Sequence, residues 1–313
     1  MTVLYGIDIG GTSVKTAFIG DDGAILHRAE FPTRPETGIE DFLDRLHATY
    51  VQEANKAGLS LDDVVGVGVG VPAFFDAVRG MVVEAVNLGW KMVPLPQLIE
   101  ARFHRPVAVE NDANLAALGE CWIGAGRGKS HLLCVTVGTG IGGGIVLDGE
   151  IYRGKNGMAG EIGHLTVQRH GGMLCNCGRT GCLETVASAT AIIRNARQRL
   201  SHANGDVQIH GASDVFRLAE QGVAEAREVV AEAADWLGYG LALAATALNP
   251  DCIVIGGGVS KAQELFLRPV REAFERYSLE RIHEAQVIPA ELGNDAGVVG
   301  AARLIQQRVA RRR

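Results

Sequence analysis

A histidine and three cysteines between positions 164 and 182 are the residues in this sequence best suited to binding a metal. His164 is followed by Cys175, Cys177 and Cys182, in a segment rich in glycine. Four protein ligands of this kind fill the tetrahedral shell of a zinc ion, which is typical of structural rather than catalytic zinc. A small apolar turn is the alternative, but a Gly-rich Cys-x-Cys segment has little core to join. We therefore predict structural Zn²⁺ bound by these four residues.

Two glutamates flank the predicted zinc ligands. Glu161 lies on the segment that ends at His164, and Glu184 follows Cys182 by two positions. An ion that joins both segments would hold the two carboxylates in fixed positions, where they could bind the hydroxyl groups of a polyhydroxylated ligand. The alternative is that both are ordinary exposed glutamates at helix starts.

The first of three glycine turns follows an N-terminal strand. Gly10 and Gly11 let backbone N–H groups approach phosphate oxygens without an intervening Cβ, while Thr12 adds a hydroxyl and Lys15 a charge. Asp8, at the end of the strand, is suited to Mg²⁺, directly or through water. A tight hairpin with an incidental aspartate is the alternative for this segment taken alone.

Two further glycine segments strengthen the prediction of a nucleotide site. Gly138–Gly144 contains five glycines, more than a hairpin turn needs, and we expect Gly138, Thr139 and Gly140 to contact phosphate. Gly257 and Gly258 lie between a predicted strand and a predicted helix, where they could pack against a ring or a ribose. No Gly-Lys-Ser/Thr follows at the Walker A spacing, so a P-loop is excluded.

A polar triplet, Glu110-Asn111-Asp112, joins a buried strand to a helix. Phosphoryl transfer to an alcohol requires a carboxylate to accept the proton, a metal and donors around the phosphate. We predict Asp112 as that general base and Asn111 as a ligand for neighbouring hydroxyls. The alternative is that Asn111 or Asp112 only caps the helix.

Hydrophobic patterning predicts two halves that begin alike. Residues 3–9 form a strand followed by a glycine turn and a second strand, and residues 132–147 repeat this order. We predict a duplicated α/β fold of two lobes with a cleft between them. The small lobe comprises residues 1–110, completed by a C-terminal helix at about 296–313, and the large lobe comprises residues 111–295 with the zinc site.

Composition excludes several classes of partner. The net charge of −6 argues against a nucleic-acid-binding surface, and no apolar stretch is long enough to span a membrane. The chain has six cysteines, three of them clustered and three scattered, which is unlike a disulfide framework, and its N-terminus has no secretory pattern. We therefore expect a cytoplasmic protein with no nucleic-acid or membrane partner.

These motifs, taken together, resemble the ROK family of sugar kinases, repressors and related open reading frames across essentially the whole chain. The resemblance implies an actin/hexokinase-like (ribonuclease H-like) ATPase fold, ATP with Mg²⁺, and structural zinc. By matching position it makes Asp112 the general base and His164 a zinc ligand that also contacts sugar through its other ring nitrogen. It assigns sugar contacts to six residues: Gly70, Asn87, Asn111, Glu161, His164 and Glu184.

One departure and one absence refine the resemblance. The family usually has glycine after the proline that follows Gly70-Val71, whereas this chain has Ala73. ROK repressors carry a helix-turn-helix before the first phosphate loop, and here that loop begins at Asp8, so we expect an enzyme. The pattern is most similar to the family's glucokinases, which implies ATP-dependent phosphorylation of a hexose 6-hydroxyl, glucose above all, by a homo-oligomer, either a dimer or a tetramer. Kinases for N-acetylmannosamine, N-acetylglucosamine, mannose or allose and a non-catalytic sugar-sensing regulator remain alternatives.

Overall fold

The computed structural model describes residues 2–76, 79–203, 208–259 and 264–311. Its contacts divide the chain into two compact units. The first contains Met1–Gly128, Val146–Ala159 and Asn294–Arg313, and the second contains Lys129–Ile145 and Gly160–Gly293. Within the described part of the chain, none of the helices combines the length and the apolar character that crossing a membrane would need.

The described residues form both strands and helices. The strands are β1 (Val3–Ile9), β2 (Ser13–Gly20), β3 (Ile25–Pro32), β4 (Val64–Val71), β5 (Phe74–Asp76), β6 (Met81–Ala85), β7 (Trp90–Val93), β8 (Val107–Asn111), β9 (Leu132–Val137), β10 (Ile141–Leu147), β11 (Glu150–Ile151), β12 (Cys252–Gly256) and β13 (Gln286–Pro289). The helices are α1 (Gly38–Ala57), α2 (Leu95–Phe103), α3 (Asp112–Trp122), α4 (Glu184–Ala187), α5 (Ala189–Ala203), α6 (Ala212–Glu220), α7 (Ala224–Leu248), α8 (Glu264–Tyr277) and α9 (Ala296–Ala310).

The main sheet of the first unit has the strand order β3-β2-β1-β4-β8. β1 pairs antiparallel with β2, but parallel with β4, which in turn pairs parallel with β8. Asp8 lies opposite Gly70, and Gly70 opposite Glu110. The carboxyl ends of the three parallel strands therefore meet at one edge, where polar residues that are distant in sequence come together.

Helix α9 covers this sheet because glycines on the strands leave room for its backbone. A Cβ on Gly6 would lie 2.1 Å from the carbonyl oxygen of Val298, and a Cβ on Gly68 would lie 1.8 Å from that of Ala301. Such distances are impossible for any residue with a side chain. The glycines in β1 and β4 thus reflect close packing of a helix whose sequence lies near the other end of the chain.

The strands of the second half repeat the arrangement, with the order β11-β10-β9-β12-β13. In both halves the first strand is central, flanked by the second and fourth, with the third and fifth outside. β9, β12 and β13 are parallel, like β1, β4 and β8. The duplication predicted from the repeated strand and glycine pattern is confirmed.

Three local features differ from expectation. Gly142 to Gly144 belong to β10 rather than to a turn, and position 143 requires glycine because a Cβ there would lie 2.3 Å from the carbonyl oxygen of Gly160. The small sheet β5-β6-β7 was not expected. The units also divide differently from the predicted boundary near residue 110, because α3 packs against α9 and so belongs to the first unit.

Candidate functional site

The first glycine turn is tied to a buried threonine. The N–H of Gly10 donates to the carbonyl oxygen of Ser13 at 2.9 Å, which closes the turn between β1 and β2. The hydroxyl of Thr33 donates to the carbonyl oxygen of Gly10 at 2.7 Å, and its N–H donates to the carbonyl oxygen of Thr12 at 3.0 Å. Thr33 is fully buried. Sequence reasoning missed this residue, because nothing in its local pattern indicates such a distant contact.

Two of the predicted sugar contacts lie beside this turn. A Cβ on Gly11 would lie 3.3 Å from the Cβ of Asn87, which is exposed on a short 3₁₀ helix, Val86–Leu88. A Cβ on Gly70 would lie 3.0 Å from Leu115 and 3.3 Å from the Asp8 carboxylate. The turn, Asn87 and Gly70 therefore form one neighbourhood within the first unit.

Asp8 and Asp112 form a pair of carboxylates at the edge of the first sheet. Burial, with the negative charge of Asp112 adding to it and Lys15 opposing it, raises the pKa of Asp8 from 3.8 to about 6. The Asp8 carboxylate also lies against Gly297 at the start of α9, where the helix dipole favours negative charge. Two partly buried carboxylates that repel each other favour the binding of a cation between or beside them, and either can accept a proton.

Asn111 caps α3 and so fixes the position of Asp112. Its side-chain oxygen accepts hydrogen bonds from the N–H groups of Ala113 at 2.9 Å and Asn114 at 3.3 Å. The side-chain oxygen of Asn111 is therefore used to cap the helix, which was the alternative to ligand binding. The amide nitrogen of the same side chain is the group that could donate to a ligand. Asp112 is the first residue of the helix and accepts from the N–H of Ala113 at 2.9 Å.

Glu110 supports this segment from within the sheet. Its side chain is buried, and one carboxylate oxygen accepts from the N–H of Asn111 at 2.9 Å and from the side chain of Asn114 at 3.1 Å. The other oxygen forms an ion pair with the Nε of Arg153. We did not predict a role for Glu110, although a glutamate that ends an apolar strand was a visible signal. The Arg153 partner carries no signal in the sequence.

The four predicted zinc ligands come together in the second unit. All their ligand atoms lie within 4.8 Å of one another. The sulfurs of Cys177 and Cys182 are 3.6 Å apart, and the Cys175 sulfur is 3.5 Å from His164 Nδ1. Zinc–sulfur bonds of about 2.3 Å in a tetrahedron imply a sulfur–sulfur distance of about 3.8 Å. The cluster therefore fits a tetrahedral zinc ion, with Nδ1 as the ligand atom of His164.

The charges in the cluster also favour a cation. The backbone N–H of Arg179 lowers the pKa of Cys177 to about 6, whereas burial, with the Glu184 carboxylate adding to it, raises the pKa of Cys175 to about 12. A metal would stabilise all three thiolates together. Glu184 Oε1 lies 2.9 Å from the Cys175 sulfur, while Glu161 Oε2 lies 3.9 Å from Nε2 of His164. Both glutamates thus border the ligand set.

The other two glycine segments also lie together in the second unit. They line a cavity of about 340 Å³ with Thr136, Glu184 and neighbouring residues. The parallel pairing of β9 with β12 brings Gly138 and Gly257 to the same edge of the sheet. Gly257 adopts a φ of 86° and approaches the backbone of Val137, which only glycine tolerates. A Cβ on Gly258 would meet no atom within 4 Å. Phosphate or ribose would meet backbone atoms here.

Gly140 and Glu184, which both line this cavity, lie against each other. A Cβ on Gly140 would lie 2.7 Å from Glu184 Oε2. The N–H of Ala189 and the hydroxyl of Thr190, at the start of α5, donate to the carbonyl oxygens of Gly138 and Thr139 at 2.9 and 2.7 Å. The loop is therefore held in place by a helix start that sequence reasoning did not connect to it.

Comparisons with known proteins agree with these features. A glucokinase from Halalkalibacterium halodurans is 46% identical over 318 residues, covering 96% of this chain and 94% of that protein. The crystal structure of a ROK hexokinase from Thermus thermophilus has a TM-score of 0.88 at 35% identity, covering 99% of this chain and 100% of its own. A ROK family glucokinase from Streptomyces griseus, crystallised with glucose and AMPPNP, has a TM-score of 0.80 at 37% identity, covering 97% and 99%.

The structural likeness confirms the predicted fold class, a duplicated two-lobe α/β fold of the actin/hexokinase-like type. The family model of the ROK family matches residues 4–308, which is nearly the entire chain. Fold, sequence and motifs therefore lead to the same assignment. This chain belongs to the ROK family.

Proposed function

We propose that this protein is an ATP-dependent glucokinase, which transfers the γ-phosphoryl group of ATP to the 6-hydroxyl of glucose. The observation that carries the proposal is the Asp8–Asp112 carboxylate pair beside a glycine turn. The Asp8 carboxylate can bind a metal–phosphate complex, and the Asp112 carboxylate can accept the proton of an alcohol. Relatives named glucokinase and a solved relative with glucose and AMPPNP support the choice of substrates.

In this proposal Asp112 accepts the proton of the 6-hydroxyl as the oxygen attacks phosphorus. The helix cap made by Asn111 keeps the Asp112 carboxylate at the start of α3. The amide nitrogen of Asn111 donates to a neighbouring hydroxyl. Asn87 and the backbone at Gly70, both beside the first glycine turn, add further contacts to the sugar.

Glu161, His164 and Glu184 bind sugar hydroxyls in our proposal. His164 would use Nε2 for the sugar because Nδ1 faces the cysteines, which is the division of roles that the resemblance implies. Zn²⁺, bound by His164 and the three cysteines, supplies no step of the reaction. Its role is to fix the two segments that carry Glu161 and Glu184.

ATP binding is assigned to the three glycine segments. Gly10, Gly11, Thr12 and Lys15 provide N–H, hydroxyl and ammonium donors for phosphate oxygens. In the second unit the donors and backbone surfaces come from a group of five residues: Gly138, Thr139, Gly140, Gly257 and Gly258. Asp8 would hold Mg²⁺, which neutralises charge on the phosphates when it is bound.

The proposal includes a cytoplasmic location and a homo-oligomeric state. The close but separate thiols of the zinc cluster suit a reducing compartment.

Exposed Leu243, Tyr277 and Leu279 in the second unit provide apolar surface for self-association. Sedimentation equilibrium at micromolar concentration tests the second point, and a purely monomeric protein would contradict it.

A coupled assay of ADP release tests the proposed activity. We expect release to depend on added sugar and to rank glucose first by kcat/KM over mannose, allose, N-acetylglucosamine and N-acetylmannosamine. A different first-ranked sugar would replace glucose but keep the kinase. ADP release that is absent with every sugar would overturn the proposal in favour of a regulator, and ADP release that is independent of sugar would overturn it as well, because no phosphoryl group would then reach a sugar.

A further inference from the structure

A cleft in the first unit lies apart from every residue assigned to sugar or nucleotide. Its volume is about 510 Å³, within the range of about 300–1,000 Å³ that small-molecule sites occupy. Four arginines line it, against two glutamates, Glu100 and Glu150. The arginines come from separate parts of the chain: Arg79, Arg153, Arg308 and Arg311. In a protein with a net charge of −6, this concentration of guanidinium groups points to an anionic ligand.

One wall of the cleft is β8, the strand that ends at the candidate catalytic segment. Ala108 and Val109 line the cleft directly. Arg308 donates from Nη1 to the carbonyl oxygen of Val107 at 2.6 Å. Arg153 pairs with Glu110, whose other carboxylate oxygen accepts from the N–H of Asn111. Two of the cleft arginines thus hold the strand that positions Asp112.

Three of the four arginines, Arg79, Arg153 and Arg311, retain donors for a ligand. Arg153 uses Nε for Glu110, so its two terminal nitrogens can donate into the cleft. Arg79 is 73% exposed, with its Nε 3.7 Å from Asp76, and Arg311 is 62% exposed beside Glu150. Guanidinium groups match phosphate in planar, two-point hydrogen bonding. Four such groups in a cleft of this volume exceed what a single phosphate can use.

We propose that this cleft binds a small metabolite carrying two phosphate groups, and that the bound anion shifts the Asn111–Asp112 segment through Arg153 and Glu110. An anion that attracts the Arg153 guanidinium weakens its pairing with Glu110. Because Glu110 also binds Asn111 and Asn114, the cap of α3 responds. The ligand therefore acts on the candidate base without touching it.

Isothermal titration with fructose 1,6-bisphosphate, in the absence of sugar and ATP, tests the site. We expect binding to the intact protein, stronger than that of inorganic phosphate. Arg311→Gln should weaken it by about tenfold or more, since a charge-assisted hydrogen bond is lost. Arg217→Gln is the matched control, with a side chain 59% exposed and a single carboxylate partner, and should bind as the wild type does.

Arg79→Gln provides a second site variant should Arg311→Gln lower the melting temperature. Binding unchanged in both variants would place the anion elsewhere, for example on the phosphate loops, and would overturn the site. Undetectable binding of both probes at millimolar concentration would do the same. These measurements need no turnover, so their failure is distinct from failure of the proposed kinase activity.

Hydrogen exchange tests the coupling. At saturating fructose 1,6-bisphosphate we expect amide exchange within residues 110–114 to change by several-fold in the wild type. Arg153→Gln should lose this change at saturation, because the connection from the cleft to Glu110 is broken. An unchanged exchange pattern in the wild type, with the ligand bound, would overturn the coupling.

Discussion

Asp8 and Asp112 hold two negative charges at the edge of one sheet, where each disfavours ionisation of the other. Such an arrangement costs stability in the free protein, and a metal–phosphate complex and an alcohol proton would both relieve it. The pKa of Asp8 records the cost, since burial and Asp112 together raise it from 3.8 to about 6. Protonated Asp8 therefore contributes to the stability of the folded protein at acid pH. This contribution to the free energy of unfolding is lost as the pH rises from about 3.8 to about 6.

Replacing Asp112 by Asn should lower the pKa of Asp8 and reduce this pH dependence. The shift should be partial, because burial is the larger cause and is unaffected. NMR titration of the Asp8 carboxyl carbon measures the pKa. Asp62→Asn, at a 99% exposed side chain, is the control and should leave it unchanged. A pKa of Asp8 that does not move in Asp112→Asn would show that the two carboxylates do not interact.

Thr33 gives a prediction about the first glycine turn. Thr33→Val keeps the shape but leaves the carbonyl oxygen of Gly10 without its donor, which should cost about 1–3 kcal/mol in unfolding free energy and raise the KM for ATP. Urea unfolding and steady-state kinetics measure the two effects.

The matched control is Thr37→Val. Thr37 makes the same kind of bond, to the carbonyl oxygen of Arg34 at 2.9 Å, but it is exposed, so water can replace the hydroxyl. Equal effects of the two substitutions would contradict a special role for Thr33.

Residue types and spacing were sufficient to predict that His164 and the three cysteines lie together, because these residues are close in sequence and chemically distinctive. They were also sufficient to nominate Asp8 and Asp112. Glu110 with Arg153 could not be predicted, since that ion pair forms only once β8 and the segment after β11 are folded. Roles that depend on the pairing of distant elements have no local pattern.

At the scale of elements, some glycines form turns and others allow two backbones to pack closely, and the sequence alone does not distinguish the two roles. Gly10 and Gly11 form a turn, whereas Gly143 lies in β10 and is small because the backbone of Gly160 passes close to it. Apolar runs bounded by turn residues predicted most of the described strands. The sheet β5-β6-β7 was missed because its strands are short and interrupted by turns.

The segments that carry the four predicted zinc ligands give a prediction at this scale. Cys177→Ser should lose the metal, lower the melting temperature and raise the KM for glucose, since His164, Glu161 and Glu184 lose a common anchor. Zinc content by elemental analysis, thermal unfolding and kinetics measure the three effects. Cys252→Ala, in the buried strand β12, is the control and should keep its zinc. Full zinc content in Cys177→Ser, or normal glucose kinetics without metal, would contradict this account.

At the scale of the molecule, the duplicated sheet order was predictable because both halves repeat strand, glycine segment and strand. The extent of each unit was not. Helix α3 and the last helix, α9, are distant in sequence, yet they pack together, since Gly300 lets the backbone of α9 approach Leu115. Tertiary packing decides which neighbouring element a small residue allows to approach.

Phosphoryl transfer from ATP to glucose with Asp112 as the base is tested most directly by ³¹P NMR of the reaction mixture. We predict that the wild type converts ATP and glucose to ADP and a glucose 6-phosphate resonance. Asp112→Asn should form this product at least about 100-fold more slowly while its affinity for glucose stays within a few-fold. ADP without a sugar phosphate, or near-normal turnover by Asp112→Asn, would contradict the account.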